Sequence, residues 1–496
     1  MTASMSQIDP FKPSEPISLA GKRVLVVGLG RFGGGVGVTR WLVSQGAIVT
    51  VTDLAGPEDL TESVAAIADL PVTLHLGGHD ENDLKAADWV IINPAVHKSS
   101  SAFFLAVVRC GIPWTTEMNL FCQRCQARVI GVTGSYGKST TCAMLTDALG
   151  ACRQAGEASY TGVHLGGNIG RSLLNELPNI RQTDWVVLEM SNAQLEDLPL
   201  IPWAPEMAVI TNLFPHHLDR YPSFVDYANA KLNIMRHPDK SSRVVVGDLH
   251  PEAESRLWEV IADGRDRVIR IPSSGYACKL KVPGSHNQRN AACVLTVCHL
   301  LGLNEALVRD ALREFRGLPH RLEFVRTLDG VDYYNDSKST APAATVIALE
   351  ATAHSRHPDP QAERCPGASV PITESPGRTI AIVGGQRKDV PLDHCAKALS
   401  QYCRLVICTG ESGLDFSEAV KIASSARSST PPTSGIGLTG GSSAYTVHEL
   451  SEAVNLAKKE AKPGEIILFS PGAPSFDQYA NFTERGRHFV ELVSAL

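Results

Sequence analysis

Residues 131–140 constrain the fold of this chain most, because a glycine-rich loop that closes with Gly-Lys-Ser-Thr follows the apolar run 128–130. The apolar run predicts a β-strand, and residues 140–149 predict a helix whose N-terminal amides face the loop. Gly134 and Gly137 permit positive φ angles and a close approach of the backbone to a ligand. A strand, a glycine turn and a helix in this order are typical of a nucleotide phosphate-binding loop.

The side chains at the end of this loop suit a nucleotide and its metal ion. Lys138 adds a positive charge for β- and γ-phosphate oxygens, and the hydroxyl of Ser139 or Thr140 can coordinate Mg²⁺. The loop departs by one residue from the commonest pattern, because its first glycine stands at 131 and Val132 occupies the expected position. The alternative is a glycine-rich turn between a strand and a helix that binds nothing.

The N-terminal part of the chain reads as a βαβ unit. A strand over 22–27 leads into Gly28, Gly30 and Gly33, and a second strand over 47–52 ends at Asp53. This glycine pattern with a following acidic residue is typical of a dinucleotide or nucleotide site. Further strands are predicted over 72–76 and 89–93.

Two more α/β units follow, so the predicted fold class is α/β with three domains and mostly parallel sheets. The predicted strands are 128–132, 185–189, 207–211 and 243–247 in the second unit, and 331–335, 379–383, 405–409 and 465–470 in the third. The domains are expected over 1–116 (Rossmann-like), 117–317 (a central parallel sheet of the P-loop ATPase type) and 318–496 (Rossmann-like). Two Pro/Ser/Gly-rich stretches, 354–378 and 424–443, are expected to be exposed insertions without catalytic residues.

The amino-acid composition limits the kinds of molecule that this protein is expected to bind. The 496 residues carry a net charge of −6, which argues against a nucleic-acid surface and favours small-molecule partners. No apolar run approaches the ~18 residues that a membrane span requires, so a cytoplasmic location is expected. The twelve cysteines are scattered, as is typical of reduced thiols in the cytosol.

Polar residues at strand ends of the middle unit suggest a metal site. Glu189 closes one predicted strand, and His217 with Asp219 follows the next. A carboxylate and an imidazole at carboxyl strand ends, close to a phosphate loop, can hold divalent ions that neutralise a transferring phosphoryl group. The alternative for each residue is a capping or surface role.

Ordered motifs across the whole chain resemble a known family. They are Thr133-Gly-Ser-Tyr-Gly-Lys-Ser-Thr140, Gly166-Gly-Asn-Ile-Gly170, Glu189-Met-Ser191, His217-Leu-Asp-Arg-Tyr221, Ala230-Lys231, Gly284-Ser-His-Asn287, Gly317-Leu-Pro-His-Arg321, Asn335-Asp-Ser-Lys-Ser-Thr340, Gly384-Gly385 with Lys388, and Ser470-Pro-Gly-Ala-Pro-Ser-Phe-Asp-Gln478. In this order they resemble the Mur ligases. The resemblance implies an ATP-dependent amide ligase of cytoplasmic peptidoglycan synthesis, which acts as a monomer. Its substrates would be UDP-N-acetylmuramoyl-L-alanine, D-glutamate and ATP, and the carboxylate of the first would be activated as an acyl phosphate.

The resemblance also implies roles for single residues. The catalytic residues would be Lys138, Glu189, His217 and Lys231. Two Mg²⁺ ions would be held by Ser139, Glu189, His217 and Lys231, the last carried as a carbamate. The ATP contacts would be Gly134, Ser135, Gly137, Lys138, Ser139, Thr140, Asn287, Asn290, His320, Arg321 and Asp336. The uridine-linked substrate would meet Gly30, Arg31, Phe32, Asp53 and Asn168, and glutamate would meet Thr340, Lys388, Ser475 and Phe482.

Several residues depart from the family pattern. Leu54 and Ala55 stand where a hydroxyl and a basic side chain are usual, Asn93-Pro94-Ala95 replaces Ser-Pro-Gly, Tyr136 replaces an asparagine and His216 replaces an acidic residue. Alternatives therefore stay open: a Mur-type ligase for another amino acid such as L-glutamate, a nicotinamide-dependent oxidoreductase suggested by the first glycine pattern, or a relative that binds nucleotide without catalysis.

Overall fold

The computed structural model describes residues 18–496 except 32, 170–171, 218–219, 237–241, 262–263, 272–277, 354–378 and 429–442. The predicted insertion 354–378 therefore lies outside the described residues, as does 429–442 within the second predicted insertion. The chain forms two compact units, residues 1–276 with 289–311 and residues 277–288 with 312–496. The three-domain division at 116 and 317 stays a prediction.

The described residues form seventeen strands and sixteen α-helices. The strands are β1 (Arg23–Val27), β2 (Ile48–Asp53), β3 (Thr73–Leu76), β4 (Trp89–Ile92), β5 (Trp114–Thr115), β6 (Arg128–Thr133), β7 (Val163–Gly167), β8 (Trp185–Glu189), β9 (Met207–Leu213), β10 (Arg243–Leu249), β11 (Val268–Arg270), β12 (Glu323–Leu328), β13 (Val331–Asn335), β14 (Thr379–Gly384), β15 (Cys403–Thr409), β16 (Ser443–Thr446) and β17 (Ile466–Phe469). The helices are α1 (Gly34–Ser44), α2 (Thr61–Ala65), α3 (Glu81–Ala86), α4 (Ala102–Arg109), α5 (Glu117–Arg124), α6 (Lys138–Gln154), α7 (Asn192–Leu195), α8 (Phe224–Leu232), α9 (Pro251–Val260), α10 (Ser285–Leu300), α11 (Glu305–Glu314), α12 (Pro342–Ala353), α13 (Asp393–Tyr402), α14 (Gly413–Ser428), α15 (Leu450–Glu460) and α16 (Phe482–Ala495).

The first unit contains two parallel sheets. The N-terminal sheet has five strands in the order β3-β2-β1-β4-β5, and the middle sheet has six in the order β11-β10-β9-β6-β8-β7. Strand β1 shows how the N-terminal sheet is buried on both faces. Val24 and Val26 pack into one core cluster, whereas Leu25 and Val27 pack into the other. This alternation follows from the pleat of a strand, which turns successive side chains to opposite faces.

The second unit is built on one six-stranded sheet in the order β12-β13-β17-β14-β15-β16. Strand β12 runs antiparallel to β13, and the other neighbours are parallel. The same alternation divides β14, because Ala381 and Val383 belong to one core cluster and Ile380 and Ile382 to the other. Helices can therefore cover both faces of this sheet.

The predicted α/β class is confirmed, and every predicted strand is present. The helix predicted over 140–149 is longer at both ends, at Lys138–Gln154. Five strands were not predicted: β5, β7, β11, β12 and β16. All five lie at a sheet edge, where a strand needs no long apolar run, and β5 has only two residues. Strand β7 also contains Gly166 and Gly167, which weaken a strand pattern.

Candidate active site

The phosphate loop joins β6 to α6 at the carboxyl edge of the middle sheet. Gly137 is the N-cap of α6 with a φ of 78°, and Gly134 has a φ of 151°. A Cβ on Gly134 would lie 2.0 Å from Thr211 Oγ1, and one on Gly137 would lie 2.4 Å from Asn290 Oδ1. Both positions therefore require glycine, both for backbone conformation and for space.

The end of β9 holds the loop in shape. The Thr211 hydroxyl donates to the carbonyl of Tyr136 at 2.6 Å, and the Asn212 amide donates to the same carbonyl at 3.0 Å. In return the backbone amide of Tyr136 donates to Asn212 Oδ1 at 3.0 Å, and that of Ser135 donates to the Asn212 carbonyl at 3.0 Å. The loop backbone is thus fixed by the neighbouring strand rather than by its own sequence alone.

The side chains of Lys138 and Ser135 form hydrogen bonds that hold them in place in the phosphate loop. The Lys138 ammonium donates to the carbonyls of Gly134 at 3.0 Å and Ser135 at 3.2 Å. Ser135 is buried, and its hydroxyl donates to the Phe214 carbonyl at 2.9 Å and accepts from the hydroxyl of Tyr227 at 3.1 Å. The ammonium of Lys138 is therefore held over the concave side of the loop, where an anion would bind.

Glu189 ends β8 beside this loop and carries an unsatisfied oxygen. The residue is 2% exposed, and its Oε1 accepts from the side-chain amide of Asn168 at 2.9 Å. Asn168 is positioned by its backbone amide, which donates to the Glu189 carbonyl at 2.8 Å. No described residue hydrogen-bonds Glu189 Oε2, which is also buried. A buried carboxylate oxygen without a partner is costly, so this atom fits a cation ligand.

Lys231, on α8, also lies beside the phosphate loop. Its side chain is 1% exposed, and the ammonium lies 3.4 Å from Thr133 Oγ1 and 5.1 Å from the centre of the Tyr227 ring. Burial lowers its pKa well below the ordinary lysine value, and the charge of Lys138 lowers it further, while Glu189 opposes the shift. A buried amine near a second ammonium is therefore driven towards its neutral form.

His217 is exposed and has an unusual backbone conformation, with a φ of 53°. Its ring stands edge-on to that of His216, with centroids 4.1 Å apart, and lies 6.2 Å from the ring of Tyr227. His216 in turn meets the ring of Tyr136 edge-on at 5.1 Å. His217 and Lys231 thus both lie near the ring of Tyr227, and the hydroxyl of Tyr227 is hydrogen-bonded to the phosphate loop.

The donors near the loop suit a hard divalent cation. No group of three or more His, Cys, Asp or Glu side chains forms a ready-made metal site in the part of the chain that the structure describes. Mg²⁺ commonly uses one or two carboxylates with phosphate oxygens and waters instead of an all-protein cage. Glu189 Oε2 and the hydroxyl of Ser139, the second residue of α6, fit that arrangement.

The glycine turn of the N-terminal sheet uses Asp53 internally. Its Oδ2 accepts from the backbone amide of Gly30 at 3.0 Å, and its Oδ1 accepts from that of Ala55 at 2.9 Å. Arg31 is exposed and paired with Asp59 at 2.5 Å. Phe32 lies outside the described residues. Asp53 thus holds the glycine turn through Oδ2 and the loop after β2 through Oδ1, which differs from the free carboxylate that contacts a dinucleotide ribose.

The second unit contains a cavity of about 560 Å³ beside the carboxyl end of β14. Thr340 and Lys388, two of the predicted glutamate contacts, line it together with Arg387 and Asp415. Arg387 forms a two-pronged ion pair with Asp415 at 2.7 and 2.8 Å. Among the described residues Lys388 has no such partner, so its ammonium is the lining cation left for a substrate carboxylate.

The other predicted residues of this unit differ in burial and in contacts. Ser475 is 2% exposed and follows the cavity-lining Pro474. Phe482 begins α16, and its ring lies 6.4 Å from that of His320. Arg321 is exposed, whereas Asn287 is buried and donates to the Pro283 carbonyl at 2.6 Å.

Asp336 is also buried in the second unit, and its carboxylate is occupied by protein donors. Its Oδ2 accepts from the hydroxyls of Ser339 at 2.5 Å and Ser470 at 2.8 Å, and its Oδ1 accepts from the amide of Leu322 at 3.1 Å. Burial raises the pKa of Asp336 to about 6, against the effect of these hydrogen bonds.

Sequence reasoning missed the residues that support the site. Asn212 and Thr211 were seen only as the end of a strand, although an amide side chain there could have suggested a loop clamp. Tyr227 lies one helical turn before Lys231 on α8, and this i, i+4 spacing was the available signal. Arg387 stands beside the predicted Lys388, but its pairing with Asp415 depends on residues 28 positions apart.

Comparison with known proteins identifies the family of this chain. The family model for the Mur ligase middle domain matches residues 132–298, and the model for the N-terminal domain of MurD-like Mur ligases matches residues 22–114. The chain belongs to the Mur ligase family.

Named relatives narrow this class. A UDP-N-acetylmuramoylalanine–D-glutamate ligase of Symbiobacterium thermophilum is 34% identical over 96% of this chain and 98% of its own length. A protein of the same name from Roseiflexus sp. is 32% identical over 97% of this chain and 100% of its own length.

Solved structures support the fold. The UDP-N-acetylmuramate-alanine ligase MurC of Thermotoga maritima aligns with a TM-score of 0.52 at 22% identity, over 96% of this chain and 99% of that one. MurF of Acinetobacter baumannii aligns with a TM-score of 0.53 at 15% identity, over 95% and 94% of the two chains. Within the described residues, every helix is too short or too polar to cross a membrane.

Proposed function

We propose that this protein is an ATP-dependent ligase that joins D-glutamate to UDP-N-acetylmuramoyl-L-alanine in peptidoglycan precursor synthesis. The observation that carries the proposal is the phosphate loop with the buried, half-satisfied Glu189 and the buried Lys231 beside it. Relatives named as D-glutamate ligases that match along nearly their whole length support the choice of substrates.

The reaction needs ATP because a carboxylate is a poor electrophile. A substrate carboxylate oxygen attacks the γ-phosphorus of ATP, ADP leaves, and an acyl phosphate forms. The amine of glutamate then attacks the acyl carbon, a proton leaves the nitrogen, and inorganic phosphate departs with the electrons of the broken C–O bond. Catalysis of such a transfer is largely positioning and charge stabilisation.

The described residues suit these tasks. The backbone amides at the start of α6 and the ammonium of Lys138 would bind the phosphates, and the clamp from Asn212 keeps the loop ready before ATP arrives. Glu189 and Ser139 would hold a Mg²⁺ ion. When bound, Mg²⁺ neutralises charge on the phosphate oxygens. Asn168 orients the Glu189 carboxylate by its hydrogen bond to Oε1.

We also propose that Lys231 carries a carbamate and, with His217, serves a second Mg²⁺. Burial and the nearby Lys138 favour the neutral amine of Lys231. A neutral amine can add CO₂, and the product offers the oxygen ligands that Mg²⁺ prefers, whereas an ammonium would repel the ion.

Glutamate is assigned to the cavity of the second unit. One substrate carboxylate would pair with Lys388, and the hydroxyl of Thr340 would donate to it, since both line the cavity. Ser475 and Phe482 are proposed to complete this subsite, and His320, Arg321, Asp336, Asn287 and Asn290 to contact ATP. Gly30, Arg31, Phe32 and Asp53 are proposed to lie against the uridine-linked substrate.

The protein is further proposed to act as a monomer in the cytoplasm, where ATP and nucleotide-linked precursors are available, with domains at 1–116, 117–317 and 318–496.

The test measures phosphate release by the purified protein with ATP, Mg²⁺ and each combination of substrates. Release should require UDP-N-acetylmuramoyl-L-alanine together with glutamate, and D-glutamate should be used in preference to L-glutamate. Lys138→Ala should abolish release, whereas Lys459→Ala, which removes an exposed lysine from α15, should not. ATP turnover that is equal without either substrate would sink the proposal, and preference for L-glutamate would reassign the amino acid.

A further inference from the structure

Four charged side chains form a partly buried cluster in the first unit. Lys98 follows β4, Glu196 and Asp197 follow α7, and Arg220 lies three positions after His217 in the sequence. The Lys98 ammonium lies 2.9 Å from Asp197 Oδ2, and these side chains are 9% and 4% exposed. With two cations and two carboxylates, the cluster is electrically balanced. We call it the 98–220 cluster.

Glu196 connects the two cations of this cluster. Its Oε2 lies 3.7 Å from the Lys98 ammonium and accepts from Arg220 Nη2 at 3.4 Å. Arg220 Nη2 also donates to the backbone carbonyl of Pro94 at 3.2 Å. The Arg220 side chain is 14% exposed, so little water competes for these contacts. One guanidinium therefore joins the loop after β4 to the segment after α7.

The contacts of Arg220 extend to two regions that are proposed to bind substrates: His217 and the glycine turn of the N-terminal sheet. On one side, the backbone amide of Arg220 donates to the His217 carbonyl at 3.0 Å, which ties Arg220 directly to His217. On the other side, Pro94 follows Asn93, whose side-chain amide donates to the Gly28 carbonyl at 3.1 Å and whose Oδ1 accepts from the Ala95 amide at 3.0 Å. Gly28 begins the glycine turn. A continuous set of contacts thus runs from that turn to His217.

Stability alone is a weak reason for such a cluster. Burying charges costs about as much as their attraction returns, and well-packed apolar residues often serve equally well. Burial raises the pKa of Asp197 to about 6, although Lys98 opposes the shift, which shows the desolvation that this carboxyl bears. A planar guanidinium with directed donors does fix the geometry between the groups that it joins.

We propose that Arg220 is a positioning residue for the ligase reaction: it fixes the loop at Pro94 relative to His217, and so sets where the carboxylate of the uridine-linked substrate meets the transferring phosphoryl group. The inference rests on the proposed function and deepens it. Arg220 itself is not proposed to contact a reacting atom.

The experiment compares Arg220→Gln and Arg220→Lys with the wild type. Arg23→Gln is the matched control, since Arg23 pairs with Asp88 at 2.8 Å on the surface and its side chain is 55% exposed. Steady-state kinetics should give KM for ATP and for UDP-N-acetylmuramoyl-L-alanine, and kcat. A melting curve of each variant reports folding.

Arg220→Gln should lower kcat/KM for the uridine-linked substrate by about tenfold or more, because small displacements of reacting groups have effects of this size or larger. The KM for ATP should stay within about twofold, since the phosphate loop is clamped separately by β9. Arg220→Lys should recover part of the loss, because a lysine keeps one donor to Pro94 or Glu196. The double variant with Glu196→Gln should lose less than the sum of the two single losses, because the two residues share one contact.

Kinetics of Arg220→Gln equal to those of Arg23→Gln would overturn the inference. So would an equal loss for ATP and the uridine-linked substrate accompanied by a lower melting temperature, since that pattern reflects general destabilisation. A wild-type protein that forms no amide with either glutamate enantiomer would refute the proposed function, and the role of Arg220 would fall with it. An active wild type with an unaffected Arg220→Gln refutes the positioning role alone.

Discussion

Replacing Asp336 by asparagine should change how stability depends on pH. The carboxylate is 4% exposed and accepts hydrogen bonds from Ser339, Ser470 and the amide of Leu322. These donors favour the ionised form, whereas burial favours the neutral form, and burial prevails by raising the pKa from 3.8 to about 6. Asparagine has nearly the same shape and is neutral at every pH. Its oxygen can face the Leu322 amide, and its NH₂ group can donate to the serine hydroxyls.

The size of the effect follows from linkage. A pKa that is higher in the folded than in the unfolded protein stabilises the fold fully below the unfolded pKa, and this stabilisation is lost as the pH rises through the folded pKa. A shift of about two units corresponds to about 3 kcal/mol in total. Between pH 7.5 and pH 5.0, wild type should therefore gain about 1 kcal/mol of unfolding free energy relative to Asp336→Asn.

Hydrogen exchange in increasing urea, followed in peptides that cover β13 and β17, gives this free energy for the strands next to Asp336. Rates at the two pH values are first corrected for the intrinsic exchange of each peptide. Asp393→Asn, which removes an exposed carboxylate at the start of α13, is the control for loss of charge. If the unfolding free energy of wild type does not rise relative to that of Asp336→Asn on acidification, or falls, the hydrogen bonds outweigh burial and the reasoning is wrong.

Two further predictions concern the phosphate loop and its neighbours. Lys231→Ala should be inactive and partly rescued by a short carboxylic acid, which can replace the carbamate oxygens, whereas Lys138→Ala should not respond to the acid in the same assay. Activity of Lys231→Ala at the wild-type level would remove Lys231 from the site. Gly137→Ala should weaken ATP binding in calorimetry by at least about tenfold, because its Cβ would lie 2.4 Å from Asn290 Oδ1 at a φ of 78°. Gly150→Ala, in the same helix with open space around it, should bind ATP normally, and equal affinities of the two variants would contradict the steric argument.

The sequence was sufficient for the α/β class and for the gathering of Lys138 and Glu189, because carboxyl ends of neighbouring parallel strands meet at one sheet edge. The sequence was insufficient where the role of a residue depends on the environment of its side chain. Lys231 alone resembles an ordinary exposed helix lysine, yet the structure buries it. The predicted contact of Asp53 with a substrate stays a prediction, because a carboxylate that accepts from backbone amides, as Asp53 does, has the same sequence pattern as one that faces a ligand.

Long-range contacts explain the other omissions. Asn212 clamps Tyr136 across 76 positions of sequence, and Arg220 reaches the Pro94 carbonyl across 126. No local periodicity reports such pairs. The short edge strand β7 escaped prediction for a different reason. Gly167 allows close approach to Glu189 of β8 and Gly166 leaves room for Leu173, and two adjacent glycines remove a recognisable strand pattern.

The dependence of the phosphate loop on β9 has a consequence for folding. Strands β6 and β9 must find each other across a long intervening segment before Thr211 and Asn212 can hold the loop, and such non-local pairing forms slowly. A chain that has not completed this pairing has the glycine sequence but lacks the shaped anion site. Nucleotide affinity therefore distinguishes a correctly assembled middle sheet from a compact but misregistered one, and ATP in the cell would draw newly made chains towards the assembled form by mass action.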